Sequence, residues 1–367
     1  MKCSVALALV LPFGLLGCPS RSASVSEPIA AAPSASSASA DAATANAART
    51  VFDQERAFSH LRRMVEIGPR PAGSPELAQT RDLISAELKS YGLTVTIDEF
   101  RPRTPVGERR MFNITAELPG ASSDIIIIAS HYDTKLYKDV RFVGANDGGS
   151  STAVVMELAR VIAANAGATK PPFTFRFVFF DGEEAFCAEW SECVNTEPGS
   201  KTTAPDNTYG SRRYVAQLTA SGELARVRAM LLLDLVGYRN LRFERESNSS
   251  QWLTNAIWET ARELGYGNVF VSTQDSVTDD HIPFLRAGVN AIDIIQLGSY
   301  PHWHTPEDTL DKIAPASLKV TGDVVLASLP KIEARLQSAA PKKPQVIGEK
   351  GEKQILQEDG DRKGKRP

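Results

Sequence analysis

Apolar and polar positions alternate along the middle of the chain in two rhythms. Residues 75–91 carry apolar side chains at helical spacing and stop at Gly92, which predicts a helix. Residues 94–100 and 111–118 alternate with a period of two, as strands with one exposed face do. The runs Asp124-Ile125-Ile126-Ile127-Ile128-Ala129-Ser130 and Phe173-Thr174-Phe175-Arg176-Phe177-Val178-Phe179-Phe180 are short, apolar and β-branched or aromatic. Such runs suit central strands buried on both faces. Residues 150–164 and 251–264 read as further helices, 229–235 and 291–297 as further strands. The alternation predicts an α/β fold, a three-layer αβα sandwich around a mostly parallel central mixed sheet. No internal repeat is present.

The ends break this pattern. An apolar run over residues 5–16 is too short to span a bilayer and has the length of a signal-peptide core, so residues 1–17 read as an export signal. The run closes on Leu15-Leu16-Gly17-Cys18, which resembles a bacterial lipobox and makes Cys18 the candidate lipidation site. Ordinary signal cleavage with Cys18 incidental is the alternative. Residues 18–49 are dominated by Ala and Ser, and residues 341–367 by charged residues, Gly and Pro; neither stretch carries enough apolar surface to fold. That leaves residues 50–340 as one catalytic-sized domain. The expectation is a bacterial cell-envelope protein, periplasmic or on the outer membrane, tethered to the membrane by its lipid. Cys187 and Cys193 remain in the folded part, and a local disulfide suits an oxidising compartment, with two free thiols as the alternative. A formal net charge of −3 over 367 residues gives no bulk attraction to nucleic acid, and none is expected as a partner.

Chemistry gathers where α/β sheets place it, past the carboxyl ends of the strands. His131 and Asp133 follow one predicted strand, Asp181, Glu183 and Glu184 the next, and Asp234 ends another. Asp147 precedes a helix, and His304 lies beyond the last strand, before Thr305-Pro306, which reads as a helix start. Each alone is as well explained by capping or packing. Together His131, Asp147, Glu184, Asp234 and His304 offer the imidazole and carboxylate ligands that zinc takes. Adjacent carboxylates after a strand point in different directions, so Glu184 is assigned as ligand and Glu183 as general base.

At these residues the chain resembles the zinc exopeptidase family that contains bacterial aminopeptidases and glutaminyl-peptide cyclotransferases. The matching motifs are His131-Tyr132-Asp133, Gly144-Ala145-Asn146-Asp147-Gly148-Gly149-Ser150, Phe180-Asp181-Gly182-Glu183-Glu184-Ala185-Phe186, Leu233-Asp234, Asp279-Asp280-His281-Ile282-Pro283-Phe284 and Trp303-His304. The resemblance implies that Asp147, Glu184 and His304 bind the catalytic zinc and that Glu183 is the acid/base. In the two-metal aminopeptidases the positions of His131 and Asp234 hold a second zinc bridged by that of Asp147. In the cyclases, with one zinc, the Asp234 position instead hydrogen-bonds the Asp279 position.

The Asp-Gly-Glu-Glu-Ala-Phe and Asp-Asp-His-Ile-Pro-Phe motifs and a Trp directly before the metal His look like the cyclase branch. Trp190 and Trp303 are then the pocket walls, Trp190 being offset by one residue from the family's position. Asn146-Asp147-Gly148-Gly149-Ser150 and the retained His131 look like the peptidase branch, and Ser130 stands where animal cyclases have a cysteine. The leading reading is conversion of N-terminal glutamine in peptides to pyroglutamate with loss of ammonia, Asp234 and Asp279 assisting. An aminopeptidase is the alternative, and a catalytically silent envelope binding protein is third. Peptide or protein N-termini are the expected substrates, with one zinc for a cyclase and two for a peptidase.

Overall fold

The two apolar runs form the centre of a six-stranded sheet. The computed structural model describes residues 49–167, 170–187, 194–196 and 203–339. Its main strands are β1 (Thr94–Phe100), β2 (Met111–Leu118), β3 (Ile125–His131), β4 (Thr174–Phe180), β5 (Val227–Asp234) and β6 (Ala291–Ile295), side by side in the order β1-β2-β4-β3-β5-β6. β2 pairs antiparallel with both β1 and β4, while β4, β3, β5 and β6 run parallel. The sheet is therefore mixed with a parallel majority, as the sequence predicts.

Burial on both faces explains why β3 and β4 lack polar alternation. Ile126 and Ile128 of β3 join Phe175, Phe177 and Phe179 of β4 in the larger core, under helices α1 (Gln54–Ile67), α2 (Pro75–Ser90), α3 (Ser151–Ala166), α5 (Gln251–Glu263) and α7 (Pro315–Ser338). Ile125, Ile127 and Ala129 point the other way and meet Val178 and Phe180, beneath α4 (Tyr209–Ser221) and α6 (His281–Arg286). Each fully buried isoleucine stabilises the fold by about 1.5–3 kcal/mol. Helix starts follow local chemistry: Asp53 accepts the Glu55 and Arg56 amides at the head of α1, Ser74 accepts the Leu77 amide at α2, and Pro75 and Pro315 open their helices.

The strand order creates the crevice that holds the site. From β3 the chain passes through α3 to β4 on one side, then crosses back through α4 to β5 on the other. The carboxyl ends of β3, β4 and β5 thus meet at a topological switch point. His131 is the last residue of β3 and Asp234 the last of β5; Asp181, Glu183 and Glu184 follow β4 directly.

One sequence expectation fails. No helix starts at Pro306: residues 301–307 form turns, and helical geometry begins only at Leu310 and then α7. The Thr305 hydroxyl bonds back to the His302 carbonyl, and the Asp308 carboxylate is taken by amides of another segment, so neither caps a helix here. Cys18, Trp190, Cys193, the N-terminal segment to residue 48 and the tail over residues 341–367 lie outside the described residues. Among the described residues no helix is long and apolar enough to cross a membrane.

Candidate metal centre

Three of the five predicted ligands converge on one point. His304 Nε2 lies 3.1 Å from Glu184 Oε2 and 3.5 Å from Asp147 Oδ2. Two ligands about 2.0–2.1 Å from a tetrahedral zinc are separated by about 3.3 Å, so these spacings match the edges of a zinc tetrahedron. Both oxygens of Glu184 and Oδ2 of Asp147 are buried and accept no hydrogen bond among the described residues. Buried carboxylate oxygens without donors are costly, and a cation resolves that cost. The donor set therefore fits zinc.

A second set shares Asp147. His131 Nε2 lies 3.3 Å from Asp147 Oδ1 and 3.2 Å from Asp234 Oδ1. All five predicted ligands are thus brought together, in two groups that Asp147 joins. Gly148 lets the Asp147 loop come this close: it has a left-handed φ of +68°, and a Cβ there would fall 2.8 Å from His131 Cε1.

Local backbone geometry concentrates at the site. The non-glycine residues with positive φ in the described chain are Thr208 (48°), Leu235 (51°) and His304 (56°). His304 is itself a candidate ligand, Leu235 follows Asp234 and donates its amide to Asp234 Oδ1, and Thr208 donates its amide to the Glu183 carbonyl. Strained backbone at three site positions shows that tertiary contacts impose the geometry.

Glu183 is enclosed, with little of its surface exposed. Burial, followed by the charge of Asp279, pushes its carboxyl well above the usual carboxylate range, which suits a group that takes and returns a proton. Burial would raise Glu184 as well, but the His304 imidazole beside it holds it below its ordinary value. Burial, then Asp234, raises Asp279. Glu183 and Glu184, adjacent in sequence, are thus shifted in opposite directions because their neighbours differ. Trp303 stacks on the His304 ring at 4.0 Å between centroids and is 38 % exposed, an apolar wall open to the outside.

The sequence reading missed three groups that hold the ligands in place and a fourth that acts on Asp279. Asp133 accepts the Glu183 and Glu184 amides at 3.2 and 3.4 Å and faces His131 Nδ1 at 3.6 Å. Asp308 accepts the Asn146 amide at 2.8 Å, the Asp147 amide at 3.0 Å and the Tyr300 hydroxyl at 2.6 Å. Lys135 is buried and donates to the Ala185 and Cys187 carbonyls at 2.9 and 3.0 Å. Asp293, in the middle of β6, is fully buried, and burial followed by the charge of Asp279 pushes its carboxyl well above the usual range. Asp133 stood inside a quoted motif and Asp308 four residues after His304, and only their spacing to the ligands hinted at a role. Nothing in the apolar run around Asp293 marked it. Cys187 is disulfide-bonded.

Residues 113–329 match the model of Peptidase family M28. The chain belongs to that family. Family M28 is zinc-dependent, which agrees with the donor set. The M28 match covers both ligand groups and every strand-end residue described above. Within the family the chain is similar to a glutaminyl-peptide cyclotransferase-like protein of Bos taurus, with 30 % identity over 276 residues, 68 % of each chain. It is also similar to the crystal structure of an Acidobacteriales bacterium glutaminyl cyclase, with TM-score 0.69, 33 % identity, 80 % of this chain and 99 % of that one. A leucine aminopeptidase precursor from Bacteroides thetaiotaomicron aligns with TM-score 0.66 and 25 % identity over 76 % of this chain and 97 % of its own. Its likeness to the cyclases places the chain in the glutaminyl cyclase branch of the family.

Proposed function

We propose that the protein is a zinc-dependent glutaminyl-peptide cyclotransferase, converting an N-terminal glutamine to pyroglutamate with release of ammonia. One observation carries the reading: the buried, high-pKa Glu183 stands next to the Asp147, Glu184 and His304 set in a chain similar to glutaminyl cyclases. Zinc in that set supplies a Lewis acid for the side-chain carbonyl of the glutamine. Glu183 takes a proton from the α-amine as its nitrogen bonds to the side-chain carbonyl carbon. It then returns the proton to the departing amide nitrogen, which leaves as ammonia, and the carboxylate is regenerated. Because nucleophile and electrophile belong to one residue, holding the curled conformer is most of the task, and Trp303 provides a wall for it. Asp279, whose charge acts on Glu183, supports the step.

A specific observation favours a second reading. His131, Asp147 and Asp234 form a complete second set, and a second metal there would suit an aminopeptidase. Zinc stoichiometry and product analysis separate the two. Mass spectrometry of a glutamine-led peptide beside a leucine-led control is the test: loss of ammonia from the first alone supports the cyclase, and loss of a whole residue from either supports the peptidase. Glu183→Gln is expected to lower turnover by about 10²–10⁴-fold while zinc stays bound. Glu184→Ala is expected to lose zinc. Retained turnover in Glu183→Gln would remove it from the mechanism.

The same proposal includes export and attachment to the bacterial envelope through Cys18. The lipobox-like Leu15-Leu16-Gly17-Cys18 and the disulfide at Cys187 support it, since structural disulfides persist in oxidising compartments. Metabolic labelling with a fatty acid, lost in Cys18→Ser, is the check.

A further inference from the structure

We propose that Arg70 is a positioning residue that assembles the metal cradle before any metal arrives, by clamping the His131 segment to the Asp147 segment. The inference rests on the zinc reading of the site but not on the choice between cyclase and peptidase.

Arg70 is fully buried, which for a guanidinium normally requires a paired carboxylate. Among the described residues it makes no ion pair. Its Nε donates to the Tyr132 carbonyl at 3.0 Å, Nη1 to the Val143 carbonyl at 2.6 Å and Nη2 to the Gly144 carbonyl at 3.0 Å. Tyr132 follows His131 directly, and Gly144 precedes Asp147 by three residues. One planar fork therefore fixes two ligand-bearing segments relative to each other. The backbone of Arg70 is itself pinned to the first segment: its amide donates to Thr134 Oγ1 at 3.0 Å, and the Thr134 amide returns a bond to the Arg70 carbonyl at 3.2 Å.

The placement of charge completes the argument. Burial lowers the guanidinium to about 10, so it stays cationic at neutral pH, and Asp308, Asp133, Asp147 and Glu184 all act on it. It offsets their mutual repulsion while its N–H groups bond to carbonyls, leaving the Asp147 and Glu184 oxygens free to ligate. A lysine keeps the charge but, as a point donor, cannot hold three carbonyls in one plane.

The test measures zinc affinity by chelator competition in wild type, Arg70→Lys and Ser328→Ala, with folding checked by circular dichroism. Arg70→Lys is expected to weaken zinc binding about 10–100-fold, as other residues that orient metal ligands do. Ser328→Ala, which removes a buried hydroxyl bonded to the Val324 carbonyl within α7 and keeps the guanidinium and its partners, is expected to stay within about threefold. Arg70→Lys within twofold of wild type, or an equal loss in both variants, would overturn the clamp. A wild type that takes up no zinc would instead overturn the site reading. Should Arg70→Lys fail to fold, amide exchange on the zinc-free wild type decides. The clamp requires the Thr134, Asn146 and Asp147 amides to stay as protected as in the zinc form, and their release on metal removal contradicts it.

Discussion

Asp308 shows how much one carboxylate can organise. It binds two consecutive amides, those of Asn146 and Asp147, and the Tyr300 hydroxyl, only four residues after His304. It thereby ties one ligand-bearing segment to another. An asparagine side chain in its place would present one oxygen and one amide group to three donors, leaving at least one donor facing another. Asp308→Asn is expected to cost about 1–3 kcal/mol in denaturant unfolding and to weaken zinc binding roughly tenfold by chelator competition. Unchanged values for both would show that the segment holds itself. At this scale the sequence was informative about ligands and poor about their supports. His131, Asp147, Glu183, Glu184, Asp234 and His304 stand at strand ends and loop positions where polar residues interrupt apolar runs. Arg70, Lys135 and Asp293 act through backbone carbonyls or buried neighbours, and no residue pattern records which carbonyl a side chain will meet.

Elements were legible where one force dominated. β3 follows from an unbroken apolar run and β4 from a run dense in aromatic residues, and α2 from Ser74, Pro75 and a closing Gly92. The expected helix at Pro306 did not form: the Thr305 hydroxyl turns back to the His302 carbonyl, and the Asp308 carboxylate is taken by the Asn146 and Asp147 amides. α7 carries a glycine whose reason is tertiary. Gly322 faces the Phe52 ring, and a Cβ there would lie 2.3 Å from Cδ2. Replacing an interior helical glycine by alanine ordinarily stabilises by about 0.5–1 kcal/mol. Here Gly322→Ala is expected to destabilise by about 1–3 kcal/mol because the ring must shift in a packed core. Thermal unfolding beside a Gly322→Ala, Phe52→Leu double variant is the check, since the smaller side chain should recover part of the loss.

Across the whole molecule, the crevice gathers Asp133, Asp147, Glu183, Glu184, Asp234, Asp279, Asp280 and Asp308, all buried, against the fixed buried cations Arg70 and Lys135. Such an excess of like charge opposes folding unless protons or metal offset it. Zinc at about 100-fold above its dissociation constant is therefore expected to add about 2.7 kcal/mol of stability. This should appear as a melting temperature several degrees higher than in chelator, with magnesium failing to substitute because the set includes imidazole. Equal melting temperatures with and without zinc would contradict the charge argument. The sequence by itself determined the αβα class, the central strands and the identity of the candidate ligands, because hydrophobic periodicity and residue chemistry are local properties of the chain. Only the tertiary structure decided that Asp147 joins two ligand groups, that Glu183 is enclosed with its pKa raised, and that Arg70 and Asp308 hold the ligand segments. Those outcomes depend on the strand order that brings β3, β4 and β5 to one crevice, where distance, burial and neighbouring charge take their values from residues far apart in sequence.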